Sequence, residues 1–98
     1  MNVNIDSAGA VNITALLGQT GEHTLSIESN FDTRQIVLLS VGATEPASNS
    51  DYEAKLMPNQ ESNLSFRVVS VPNGSSLWGK LSNVTLGDSC SVRVAIGT

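Results

Sequence analysis

Scarcity says most about this chain at first. In 98 residues there is one cysteine, one histidine, three prolines and four aromatic side chains. A lone Cys90 forms no internal disulfide, so the fold is not a small secreted scaffold held by cystines. Cys90 opens an apolar alternating stretch, where it packs as a small hydrophobe with an inert thiol. No Cys-x-x-Cys or His-x-x-x-His spacing occurs, which leaves a zinc centre without a ligand set. The carboxylates are dispersed and no Asp-x-Asp-x-Asp-Gly loop offers a calcium site, so neither metal nor cofactor is expected. His23 has no partners marked by sequence for a hydrolytic triad and reads as an ordinary strand-edge residue; no enzyme is expected. Positive charge is also short. Five Lys and Arg, at 34, 55, 67, 80 and 93, stand against nine Asp and Glu, a formal net charge of −4. Nucleic acid and anionic membrane surfaces are excluded as partners, because both need clustered basic residues. No apolar stretch approaches the roughly 20 residues that cross a bilayer, and no basic start leads into an apolar run, so a soluble chain without an export signal is expected.

What is present is neutral and strand-forming. The chain is 40 % hydrophobic and 14 % charged, which is globular composition. Ser, Thr, Asn and Gly make up much of the remainder and favour strands and tight turns over long helices. Around residues 34–41 the order Ile36-Val37-Leu38-Leu39-Ser40-Val41 puts apolar side chains on both faces of one strand. Ile36 and Leu38 point one way, and Val37, Leu39 and Val41 the other, so both faces need cover.

The other strands follow by alternation. Residues 1–8 read as an arm or edge strand, with Val3 and Ile5 on one face, and residues 9–98 as a single β domain. Residues 11–15 read as a strand ending in one helical turn near 14–17, stopped by Gly18. Residues 23–29 alternate with Leu25 and Ile27 inward, and the link at 30–33 is short enough to make the central strand their hairpin partner. Residues 42–50 form the longest irregular segment, a surface loop and the expected mobile part. Residues 52–56 make a modest strand and 58–61 a turn. Leu64, Phe66 and Val68 are predicted inward, with Ser65 and Arg67 outward. Pro72-Asn73-Gly74-Ser75 is the clearest turn. Residues 76–81 carry Trp78, a structural anchor or a surface for stacking on sugar, and Gly79, which leaves room for a neighbour. The closing strand puts Cys90, Val92, Val94 and Ile96 inward. About seven strands at near-regular spacing, with at most one short helical turn, predict an all-β antiparallel sandwich of jelly-roll-like kind. Asn-x-Ser/Thr triplets at Asn12, Asn63, Asn73 and Asn83 arise readily in such a composition and imply nothing without export.

The order of features resembles a group of short β-rich structural proteins of tailed bacteriophages. The matching pieces are Ile13-Thr14 with Leu16-Leu17-Gly18, the strand at 25–29, the aliphatic strand at 36–41, Glu45-Pro46, the turn Met57-Pro58-Asn59-Gln60-Glu61, Leu77-Trp78, and the last strand at 92–96. Met57 and Lys80 depart from the group, which favours a leucine-like residue and an arginine there. The resemblance implies a virion protein, soluble in the host cytoplasm before assembly. It implies a head decoration or cement protein docked on the major capsid protein and stabilising the head, with a tail or fibre module touching a host receptor or glycan as the alternative. Loops 42–50 and 72–76 are the host-facing candidates in that alternative.

Two surfaces are expected to meet partners. Val3 and Ile5, on an arm set off by Ser7-Ala8-Gly9, would add a strand to a neighbouring chain, so that loss of the arm would leave the fold intact. One face of the central strand, either Ile36 and Leu38 or, as the assigned contacts, Val37, Leu39 and Val41, would pack against further copies of the chain; a dimer would satisfy the burial, and a trimer is favoured because threefold symmetry matches sites on an icosahedral shell.

Overall fold

The computed structural model describes residues 1–6, 9–29, 35–56, 66–83 and 89–97. Among them lie eight strands: β1 (Asn2–Ile5), β2 (Val11–Asn12), β3 (His23–Ser29), β4 (Val37–Gly42), β5 (Ala54–Leu56), β6 (Phe66–Val71), β7 (Ser76–Leu81) and β8 (Cys90–Gly97). They form two four-stranded sheets, β1-β8-β3-β6 and β2-β7-β4-β5, with every pairing antiparallel. The chain is thus an all-β sandwich, as its alternating pattern predicts.

Among the described residues helix is confined to single turns. α1 (Ile13–Leu16) follows directly on β2, where the Asn12 side chain accepts the Ala15 N–H at 3.0 Å. Gly18, at φ +67, ends the turn in the left-handed region that glycine enters without steric cost. A 3₁₀ turn, Asn49–Asp51, lies in the loop between β4 and β5.

The core lies between the sheets. Leu25 and Ile27 of β3, Val92 and Val94 of β8, Val37 and Leu39 of β4, and Leu77 and Leu81 of β7 are all buried, with α1 supplying Ile13. Gly79 permits a close approach of the two layers. A Cβ there would stand 2.9 Å from Ile5 Cδ1 and 3.2 Å from Ile13 Cδ1, so the room expected at this glycine is filled by two isoleucines.

Several expectations are corrected. β1 is no partner-seeking arm: it pairs with β8, with Val3 opposite Val92 and Ile5 opposite Cys90. Val3 and Ile5 are 2 % and 0 % exposed in the chain's own core, because an alternating terminus beside an open strand gains more by completing that sheet than by staying in water. β3 and β4 are not a hairpin but lie in different sheets. Each has an apolar inner face that needs the other, and a short link can cross the roughly 10 Å between packed sheets; residues 30–34 themselves lie outside the described residues. β6 turns the opposite way from the prediction. Val69 packs against the core and Val71 is buried, whereas Val68 is 64 % exposed. Two adjacent valines suit either face, and pairing of Val69 with the buried Leu25 decides which one turns in. Leu64, Ser65, the turn at 58–61 and the side chains of Phe66 and Arg67 lie outside the described residues and side chains. Ile96, predicted inward beside Val94, is half-exposed near the end of β8.

Candidate functional site

The face of β4 assigned to partner contacts is the core face. Val37 and Leu39 are buried and Val41 packs against the same core. The opposite face carries Leu38 and Ser40, and it too is covered within the chain: Leu38 is only 5 % exposed. Its register neighbours are Lys55 on β5 and Lys80 on β7, whose aliphatic stems can lie along it. Lys80 Nζ donates to Asn49 Oδ1 at 3.0 Å, and Asn49 Nδ2 donates to the Ser82 carbonyl at 2.9 Å. The loop expected to be mobile is therefore fastened to β7 through its 3₁₀ turn. These contacts remove the reason for covering either face of β4 with another copy of the chain.

Gln35 escaped the sequence reading. It is 1 % exposed, donates to the Asn83 carbonyl at 2.6 Å and accepts from the Asn83 N–H and the Ser82 hydroxyl at 3.2 and 3.3 Å. The amide clamps the start of β4 to the end of β7. Its only signal in sequence is a neutral polar residue heading an aliphatic run.

His23 is more than a strand-edge residue, but its geometry is structural. Nδ1–H donates to the Gly21 carbonyl at 2.8 Å, and Nε2 is hydrogen-bonded to the Thr14 hydroxyl at 3.2 Å. This has the outline of a nucleophile and base pair. Thr14, however, is 4 % exposed, and its oxygen already accepts the Leu77 N–H at 3.0 Å. The relay pins α1 to β3 and β7. Cys90 is buried, with its side chain on the core face of β8 as predicted. Among the described residues no three His, Cys, Asp or Glu side chains converge where a metal ion could sit, and no helix is long and apolar enough to cross a membrane.

Trp78 lies on the outer face of its sheet, since its neighbours Leu77 and Gly79 both point inward. The indole N–H donates to the carbonyl of Gly42 at the end of β4, at 3.1 Å, which fixes the ring half-buried beside Ser40. The turn that leads into β7 is closed by a 3.1 Å bond from the Ser75 N–H to the Pro72 carbonyl, with Gly74 at φ +85, as its turn signal predicts.

The candidate site is where the sandwich stands open. An open groove of about 520 Å³ runs between β6 in one sheet and β4 and β5 in the other. Leu39, Val41, Ala54, Val69, Pro72 and Leu77 give it apolar walls, with Ser40, Ser70 and Glu53 as polar points. Val41 alone of the five predicted contact residues is both partly exposed and on this groove. Beside it β6 has a strand neighbour on one side only among the described residues. A concave apolar strip next to an unpaired backbone edge suits an extended protein segment, which can hydrogen-bond the edge and seat alternate side chains in the groove. No protein-family model, curated protein or solved structure matches the chain.

Proposed function

We propose that this protein is a non-catalytic assembly module of a phage virion, a decoration or cement protein that docks on the capsid surface and strengthens the head. The open groove, with the β6 edge beside it unpaired among the described residues, carries the reading, as a surface for protein contact within an assembly. The ordered resemblance to short phage structural proteins supports it, as does a neutral-polar, acidic sandwich whose histidine and buried cysteine both serve packing. A second reading, a tail or fibre module that binds glycan, is favoured by one observation: Trp78 lies half-buried on an outer sheet face with its ring held in place, a platform on which a sugar can stack.

Quantitative mass spectrometry of purified particles separates the two. Many copies per head, removable and restored by adding the purified protein to stripped heads, is the expected result. A few copies that fractionate with tails, together with glycan binding abolished by Trp78→Ala, would favour the second reading. Absence from the particle would overturn both.

A further inference from the structure

Among the described residues the two sheets have four edges, and three of them are ill suited to pairing with another chain. β2 is two residues long; β5 is three, with the exposed Lys55 at its centre; β1 is four. Such brevity and charge are the usual ways in which sheet proteins protect their edges. β6 has six residues and from Val68 to Val71 reads Val-Val-Ser-Val, without charge or proline. Val68 is the most exposed large apolar residue among the described ones, at 64 %, and its neighbour across the sheet is the small Ser26.

We propose that β6 is the contact for a second copy of this chain, paired antiparallel about a two-fold axis at Val69, so that two four-stranded sheets become one of eight. In this register Val69 faces the partner's Val69, Val68 faces the partner's Ser70, and Arg67 faces the partner's Val71. No like charges meet, which is what an edge must offer if it is to pair with itself. The same symmetry brings the two grooves together beneath the joined strands, and the second Val69 closes the open side of each. Pairing uses up both edges, so the assembly stops at two. The trimer suggested by the sequence rested on the face of β4, which the chain covers by itself. The inference gives a partner to the assembly module proposed above, but its test needs no virus particle, so the two can fail separately.

A six-residue edge and groove rim bury less than a standard interface of roughly 1,600 Å², so dissociation is expected between about 1 and 100 µM. Sedimentation equilibrium of the purified chain should show mass rising from 10.3 kDa towards twice that over this range. Val68→Lys with Ser70→Lys places lysines opposite each other across the axis at solvent-facing positions. The double variant should keep the wild-type circular dichroism and dissociate at least about tenfold more readily. Hydrogen exchange on the wild type should show protection that rises with concentration at residues 66–71. A wild type that stays monomeric to about 500 µM, well above this range, would overturn the proposal. So would a double variant that dimerises as tightly as the wild type, or concentration-dependent protection found elsewhere than β6.

Discussion

Tyr52 carries the only phenol in the chain, and its hydroxyl is buried with no hydrogen-bond partner among the described residues. Burial, and secondarily the Glu45 carboxylate, raise its pKa above the ordinary value. A raised pKa in the folded state means that the native chain keeps this proton where the unfolded chain has lost it. The contribution is therefore complete below the unfolded pKa near 10 and is lost as pH rises through the higher folded value. Tyr52→Phe removes both the orphaned hydroxyl and this alkaline loss. It should raise stability at pH 7 by about 1 kcal/mol, since an unsatisfied buried hydroxyl costs about 1–3 kcal/mol, and it should flatten the fall in stability above pH 10. Urea unfolding at pH 7 and at several alkaline values reads both effects; equal or lower stability of the variant at pH 7 would show that the hydroxyl is satisfied. The cross-strand pair Arg93–Glu28, at 2.9 Å on the solvent face of β3 and β8, offers no comparable lever, because exposed ion pairs add little.

Among the elements, β1 separates the two readings of the N-terminus. Its amine donates to the Val94 carbonyl at 2.9 Å and the Met1 carbonyl accepts the Val94 N–H at 2.8 Å, so the ladder with β8 runs from the first residue. Val3 and Ile5 are worth about 1.5–3 kcal/mol each when buried, against a total stability of about 5–15 kcal/mol for a domain. Removing residues 1–6 should therefore lower the thermal midpoint sharply or leave the chain unfolded at 37 °C. Far-ultraviolet circular dichroism on heating decides it. A truncated chain that melts like the whole one would mean that β1 can leave the sheet at no cost. β4 is the counterpart inside the sheet: flanked by β5 and β7 and covered on both faces, it is the central strand that its doubly apolar pattern predicts.

At the scale of the molecule, a single core serves both sheets. Ile5 of one layer and Ile13 of α1 meet over Gly79 of the other, and five of the links between successive strands from β2 to β8 cross between layers. Neither sheet can keep its inner face dry alone, so unfolding should be one cooperative transition. Trp78 fluorescence reports the outer face of the β2-β7-β4-β5 sheet, while circular dichroism reports all strands. The two should give the same urea midpoint, and a tryptophan signal that changes first would show that this sheet, or the loop over it, opens independently.

The sequence by itself determined the alternating strands, the helical turn stopped by Gly18, the turn at Gly74 and the fact that β4 is covered on both sides. These follow from local rules: alternation and glycine's access to positive φ act over a few residues and leave their mark in residue order. Only the tertiary structure decided which sheet each strand joins, which of Val68 and Val69 turns inward, and what covers the faces of β4 and β1. A strand's pattern states that a face is apolar but not what will cover it. For Val3, Ile5, Val37 and Leu39 the cover is the chain itself, because intramolecular burial carries no cost of association. The groove and the edge of β6, bare among the described residues, had no local signal at all, for they arise where two sheets, neither of which mentions the other in sequence, fail to meet.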